Sequence, residues 1–195
     1  LLGRLLKSKF HEERLFALLV MVEQFARSDD RHRTAIYQMY LKNTRYINNW
    51  DLVDCSAPSI VGGYLEGKDK QILYTLAISK SLWERRIAML AVFYQIRKRS
   101  FEDALAIAKL LLEDKEDLIH KAVGWMLREI GKRDLTAESR FLDTYADKMP
   151  RTMLRYAIEK FPEDQRQAYL KKTATFRRRQ DHRFHALTNA SKLRS

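Results

Sequence analysis

At 195 residues, the chain is long enough for one domain with a real core or for a short repeat array. Six glycines, three prolines and apolar residues recurring at helical spacing exclude both an all-β fold and a disordered chain. A net charge of +12, from 37 basic and 25 acidic residues, suits a polyanionic partner, nucleic acid first.

The predicted elements are helices throughout. Residues 1–8 read as the end of a helix. Residues 11–28 are amphipathic, with Leu15, Leu18, Leu19, Val22 and Phe25 on one stripe. Asp29 and Asp30 break that helix and cap the next, 31–45, which is apolar at Ile36, Met39 and Tyr40. The stretch 48–54, NNWDLVD, opens a helix over 50–65, with Asn48 or Asn49 as N-cap and Gly67 as its stop. Pro58 makes that helix a bent one. A short helix follows over 69–79. Ser81 caps 82–98, on which Ile87, Leu90, Ala91 and Tyr94 are apolar. Helices then cover 101–112, 116–132 and 136–148. Pro150 is a first-turn proline for 151–161, and 163–171 is the last short helix.

Beyond it the run RRRQDHRFHALTNASKLRS has no clear apolar period. Disorder, or a helix that needs a partner, is expected there. Residues 171–195 carry eight Lys or Arg against the single acid Asp181, so more than half of the net charge sits in this tail. Two units are therefore expected: a helical body, 1–170, and a basic tail, 171–195.

The single cysteine, Cys55, excludes an internal disulfide and makes a reducing, cytoplasmic setting the default. It reads as a small core residue, because no activating partner is recognisable near it. No apolar run reaches the ~18–20 residues needed to span a bilayer. No signal peptide is visible, and the chain opens on Leu1 rather than Met. The five histidines make no metal-binding spacing, so no metal and no cofactor is expected. His182 and His185 read as solvated tail residues, and His120 with Lys121 as a packed or surface pair. There is no Walker loop, no GxGxxG and no GxSxG.

The helices repeat. Ala88, Ala122 and Ala157 recur at separations of 34 and 35, each just after a basic residue: Arg86, Lys121 and Arg155. Ala17, with Arg14, lies 71 residues before Ala88, two such periods. A period near 35–45 residues made of paired helices is the mark of an α-solenoid, and the HEAT-like kind fits better than the tetratricopeptide kind, whose consensus is absent. The expected fold is all-α, a curved solenoid of HEAT-like helical repeats with a basic concave groove.

The three tryptophans meet this pattern. Trp50 shares a helical face with Asp54 at i+4, Trp83 with Arg86 at i+3, and Trp125 with Arg128 at i+3. Arg beside a large aromatic suits a nucleic-acid surface: the guanidinium holds phosphate and the ring packs on sugar or base. A carboxylate in such a groove repels phosphate, so Asp54 is either salt-bridged to neighbouring arginines or used chemically. Cleavage of an N-glycosidic bond suits it. A fixed carboxylate about 4 Å from C1′ would stabilise the developing sugar cation by roughly 1–4 kcal/mol. That is enough where the leaving base is already cationic.

NNWDLVD, SLWERRIAML, DKEDLIHKAVGWMLREIGKRD and MPRTMLRYAIEKFP, in this order, resemble the AlkD-like DNA alkylation repair family of HEAT-like-repeat DNA glycosylases. The likeness runs from about residue 11 to about residue 170. It implies a monofunctional glycosylase that releases positively charged N3- and N7-alkylpurines. In it Asp54 would be the catalytic carboxylate, and Trp50 and Trp125 the indole walls against the deoxyribose. Arg86, Arg128 and Arg85 would be phosphate contacts, and Lys121 and Arg155 fall on the same basic stripe. Relative to the family, the N-terminal helices are expected to be missing or truncated, and the basic tail matches nothing in it. The implied partner is duplex DNA carrying alkylated purines, bound by a monomer with no membrane association, in the cytoplasm and on the nucleoid when engaged. The alternative is a non-catalytic HEAT-like module that binds damaged or branched DNA, or a protein, through the same groove.

Overall fold

Side chains one residue ahead of each helix set where several of them begin. Asp29 accepts from the His32 N–H at 2.9 Å and opens the helix Asp30–Lys42. Asn49 accepts from the Trp50 N–H at 2.8 Å and opens Trp50–Asp54. Ser81 accepts from the Glu84 N–H at 3.4 Å and opens Leu82–Ala91. Asp134 accepts from the Ala137 N–H at 2.9 Å and opens Leu135–Tyr145. Each such cap supports its helix by about 1 kcal/mol.

The computed structural model describes residues 1–171, and every regular element among them is helical. In chain order these are α1 (Leu2–Leu5), α2 (His11–Arg27), α3 (Asp30–Lys42), α4 (Trp50–Asp54), α5 (Gln71–Ala77), α6 (Leu82–Ala91), α7 (Phe93–Arg97), α8 (Glu102–Leu110), α9 (Asp117–Gly131), α10 (Leu135–Tyr145) and α11 (Arg151–Ala157). A helix from residue 163 through residue 171 closes the described part. The expectations for the tail beyond it, His182 and His185 included, lie outside the described residues.

Two expected helices are broken. Over 50–65, α4 stops at Asp54, and a π-helical turn, Pro58–Gly62, follows. Proline has no N–H to return to the carbonyl four residues back, so Pro58 cannot continue α4. Gly67 then takes a left-handed φ of 67° as the chain leaves this segment. Over 82–98 the break falls at Val92, between α6 and α7. There the Ala91 carbonyl passes over Gly62, where any Cβ would sit 2.1 Å from the oxygen. Shorter differences are 3-10 turns: Thr44–Tyr46 ends the segment after α3, and Ile158–Lys160 the one after α11. Pro150 stands one residue ahead of α11, at its N-cap.

The helices pack in sequence order as an α-solenoid of helical repeats. α5 and α4 lie against α6, α6 against α9, and α9 against α10 and α11. The repeated small residues, Ala17, Ala88, Ala122 and Ala157, are all fully buried. Gly124 lets α11 approach α9 most closely: a Cβ there would fall 2.4 Å from the Met153 carbonyl oxygen and 2.5 Å from Tyr156 Cβ. Cys55 is half-buried on the core, and burial pushes its thiol up to about 11, as a packing residue requires. Among the described residues no helix is long and apolar enough to cross a membrane.

Candidate nucleic-acid interface

Four helices meet at one open cleft of about 400 Å³. α9 supplies a stripe, Lys121, Trp125 and Arg128, spaced i, i+4 and i+7 on one side of the helix. α4 supplies Trp50 and α6 supplies Arg86. α11 supplies Tyr156, pressed into place by the close approach at Gly124. Trp50 is 53% exposed and Tyr156 37%, so both rings can meet a ligand without rearrangement of the core. Phe93 backs Trp125, ring centroids 6.0 Å apart.

At the base of this arrangement Arg86 grips Asp54. Nε donates to Oδ1 at 2.9 Å and Nη2 to Oδ2 at 2.7 Å, while Nη1 donates to the Leu118 carbonyl. The Arg86 side chain is only 6% exposed and that of Asp54 17%. A two-point ion pair this well enclosed fixes both partners. Burial pushes the Asp54 carboxyl up; the bonds and charge of Arg86 pull it down; neighbouring Asp51 pushes it up again. The balance lies above the ordinary aspartate value. Asp54 thus sits behind Arg86 rather than on the cleft lining.

The other cations divide. Arg128 pairs with Glu159, and Lys121 with Asp117 at 2.8 Å; both ammonium and guanidinium still face the cleft. Arg155 lines a second cleft of about 400 Å³ beside the first, with Thr152, Glu159 and Arg166, and Tyr156 is the wall the two share. Arg85 does not join them. Its guanidinium holds Asp114 at 2.6 and 3.2 Å and the Ser79 and Lys80 carbonyls at 3.0 and 3.2 Å. Four of its five N–H donors are committed to this junction and Arg85 does not line the cleft, so the structure does not bring it to the phosphate role expected for it. Trp83, expected on the same face as Arg86, is half-buried against the core and off the cleft lining. His120 bonds the Asp114 carbonyl at 2.5 Å, as a packed histidine does. Among the described residues no cluster of His, Cys, Asp or Glu could hold a metal ion.

Sequence reasoning missed Tyr156. It stands one residue before Ala157, the register that Lys121 occupies before Ala122, so the repeat itself carried the signal.

Fold and site together define a helical-repeat protein with a cationic, indole-walled cleft. The sequence model of the family described as DNA alkylation repair enzyme matches residues 1–161, and the chain belongs to that family. Among solved structures, the chain is similar to one described as a predicted DNA alkylation repair enzyme from Enterococcus faecalis. That likeness has a TM-score of 0.64 at 16% identity, covers 82% of this chain and 73% of that one, and speaks for the fold. No curated protein matches the chain.

Proposed function

We propose that this chain is a monofunctional DNA glycosylase that hydrolyses the N-glycosidic bond of positively charged N3- or N7-alkylated purines in duplex DNA. The observation that supports it is one cleft walled by Trp50, Trp125 and Tyr156, lined by Arg86, Lys121 and Arg128, with the Asp54 carboxylate held directly behind Arg86. Phosphates flanking the lesion accept from Lys121 and Arg128. The indoles of Trp50 and Trp125 pack on the deoxyribose. A phosphate oxygen that also accepts from Arg86 loosens its hold on Asp54 and leaves more of the carboxylate's charge unopposed. As the bond breaks, the alkylpurine departs with the bonding electrons, which neutralise its own positive charge, so no general acid is needed. C1′ becomes cationic, and Asp54 stabilises it by roughly 1–4 kcal/mol. Water then adds to C1′ and gives up a proton to Asp54, the carboxylate that the loosened Arg86 uncovers behind the cleft lining. Because the cleft is open, no pocket has to fit the base, and bulky adducts are tolerated. Release of 7-methylguanine from methylated duplex by the wild type, and its loss in Asp54→Asn, tests the proposal.

A second reading has one observation in its favour. The Asp54–Arg86 pair is two-point and mostly enclosed, as a purely structural ion pair would be. On that reading the cleft binds damaged or branched DNA, or a protein, without chemistry. Tight binding to methylated duplex with no base release would support it.

A further inference from the structure

Trp50 has half of its surface open, so the packing of its ring does little to hold it. Leu52 and Val53 are fully buried and anchor the middle of α4 to the core. The first turn, which carries Trp50, is left to polar contacts. Those contacts come from the first turn of α2. His11 Nε2 lies 2.7 Å from Asp51 Oδ2. Arg14, one turn along the same face, donates from Nη2 to Asn48 Oδ1 at 3.4 Å. Arg14 is itself braced, donating from Nη1 to the Ser8 carbonyl at 2.8 Å and to the Lys9 carbonyl at 3.2 Å. Asp51 also accepts from the Leu52 N–H at 2.8 Å, and Asn49 from the Trp50 N–H at 2.8 Å. The side chains of Asn48, Asn49 and Asp51 are all engaged, and the indole between them is the one turned to the cleft.

We infer that His11 and Arg14 are positioning residues for Trp50: a two-point clamp from α2 that grips Asn48 on one side and Asp51 on the other. Neither side chain lines the cleft, so both act through the indole. The catalytic half of this inference rests on the proposed role of Trp50 against the deoxyribose; the structural half does not. Small misplacements of a group that orients the reacting centre cost far more in rate than in binding. The clamp therefore governs turnover and leaves the phosphate-binding cations unaffected.

The test uses the full chain in two forms. In the first, Trp83→Phe with Trp125→Phe leaves Trp50 as the only indole, read by anisotropy and iodide quenching. His11→Ala is expected to raise the quenching constant about twofold and to lower anisotropy, as a released side chain does. His11→Gln, which keeps an N–H donor toward Asp51, is expected to restore both, and Arg14→Ala to act like His11→Ala. Unchanged quenching and anisotropy in His11→Ala and Arg14→Ala, with melting curves showing both folded, would overturn the clamp. In the second form, with all three tryptophans present, His11→Ala is expected to slow single-turnover base release about 10-fold, with the Kd for undamaged duplex within about twofold. In a Trp50→Ala background the same change is expected to have no further effect, because the clamp has nothing left to position. Equal losses in both backgrounds would overturn action through Trp50. If the quenching responds but the wild type releases no base, the clamp stands, and it is the glycosylase reading that fails.

Discussion

Arg86 holds Asp54 by two parallel hydrogen bonds, 2.9 and 2.7 Å, and presents the same guanidinium to the cleft. The pair is therefore both a structural tie between α4 and α6 and the link between the cleft and the carboxylate behind it. Cutting it from one side leaves an enclosed carboxylate without its counter-ion and the Leu118 carbonyl without its donor. Arg86→Ala is expected to lower unfolding stability by about 3 kcal/mol. Arg86→Lys is expected to recover only part of that, since an ammonium cannot make the two-point contact. Urea denaturation measures both.

Glu138 on α10 is a buried acid with no cation bonded to it. Its carboxyl lies against α9 at Gly131, where a Cβ would come 1.6 Å from Oε2, and its Oε1 has no hydrogen-bond partner. Burial pushes its pKa up to about 8, against a smaller pull from the charge of Arg128. A raised folded-state value means that the native protein holds this proton while the unfolded chain has already released it. Stability is therefore expected to fall as pH rises from the ordinary glutamate value toward about 8, and to level off beyond it. Glu138→Gln removes the titration. It is expected to flatten that pH dependence and to add on the order of 2–4 kcal/mol at pH 8, read from denaturation midpoints across pH.

Gly124 sets the distance between α9 and α11. Gly124→Ala would force its new methyl onto the Met153 carbonyl and the Tyr156 Cβ. The expected cost is about 1–3 kcal/mol from overpacking. Because Trp125 and Tyr156 ride on the two helices being pushed apart, weaker DNA binding should accompany the lower Tm. Calorimetry and a duplex-binding titration on the same sample check the two together.

Lys121 and Arg128 are read as phosphate contacts, and Arg85 is not. In binding to undamaged duplex, Lys121→Ala and Arg128→Ala are each expected to reduce the slope of log Kd against log salt by about 1. Arg85→Ala should leave that slope unchanged and lower stability instead, because it strands Asp114.

Much of this was legible in the chain itself. The helical class, the repeat and the caps at Asp29, Asn49 and Ser81 follow from spacing and side-chain chemistry acting over a few residues. So does the grouping of Lys121, Trp125 and Arg128, which one helix brings together. Longer-range facts were not legible. Helical spacing put Trp83 and Arg86 on one face, but it could not say that this face divides between core and cleft. Nor could it say that Arg85 would find Asp114, 29 residues away, or that Arg86 would find Asp54, 32 residues away. The break at Val92 depends on Gly62 packing beneath it from another segment. These outcomes are set by which helices touch, and a single helix's pattern does not contain that.

The most direct measurement is single-turnover release of 7-methylguanine from methylated duplex DNA by the wild type and by Asp54→Asn, with duplex affinity and Tm recorded for both. The proposed mechanism expects release by the wild type and its near-complete loss in Asp54→Asn, with affinity kept within about threefold because the phosphate contacts Lys121 and Arg128 are untouched. Release at the wild-type rate by a folded Asp54→Asn protein, or binding without any release by the wild type, would contradict it.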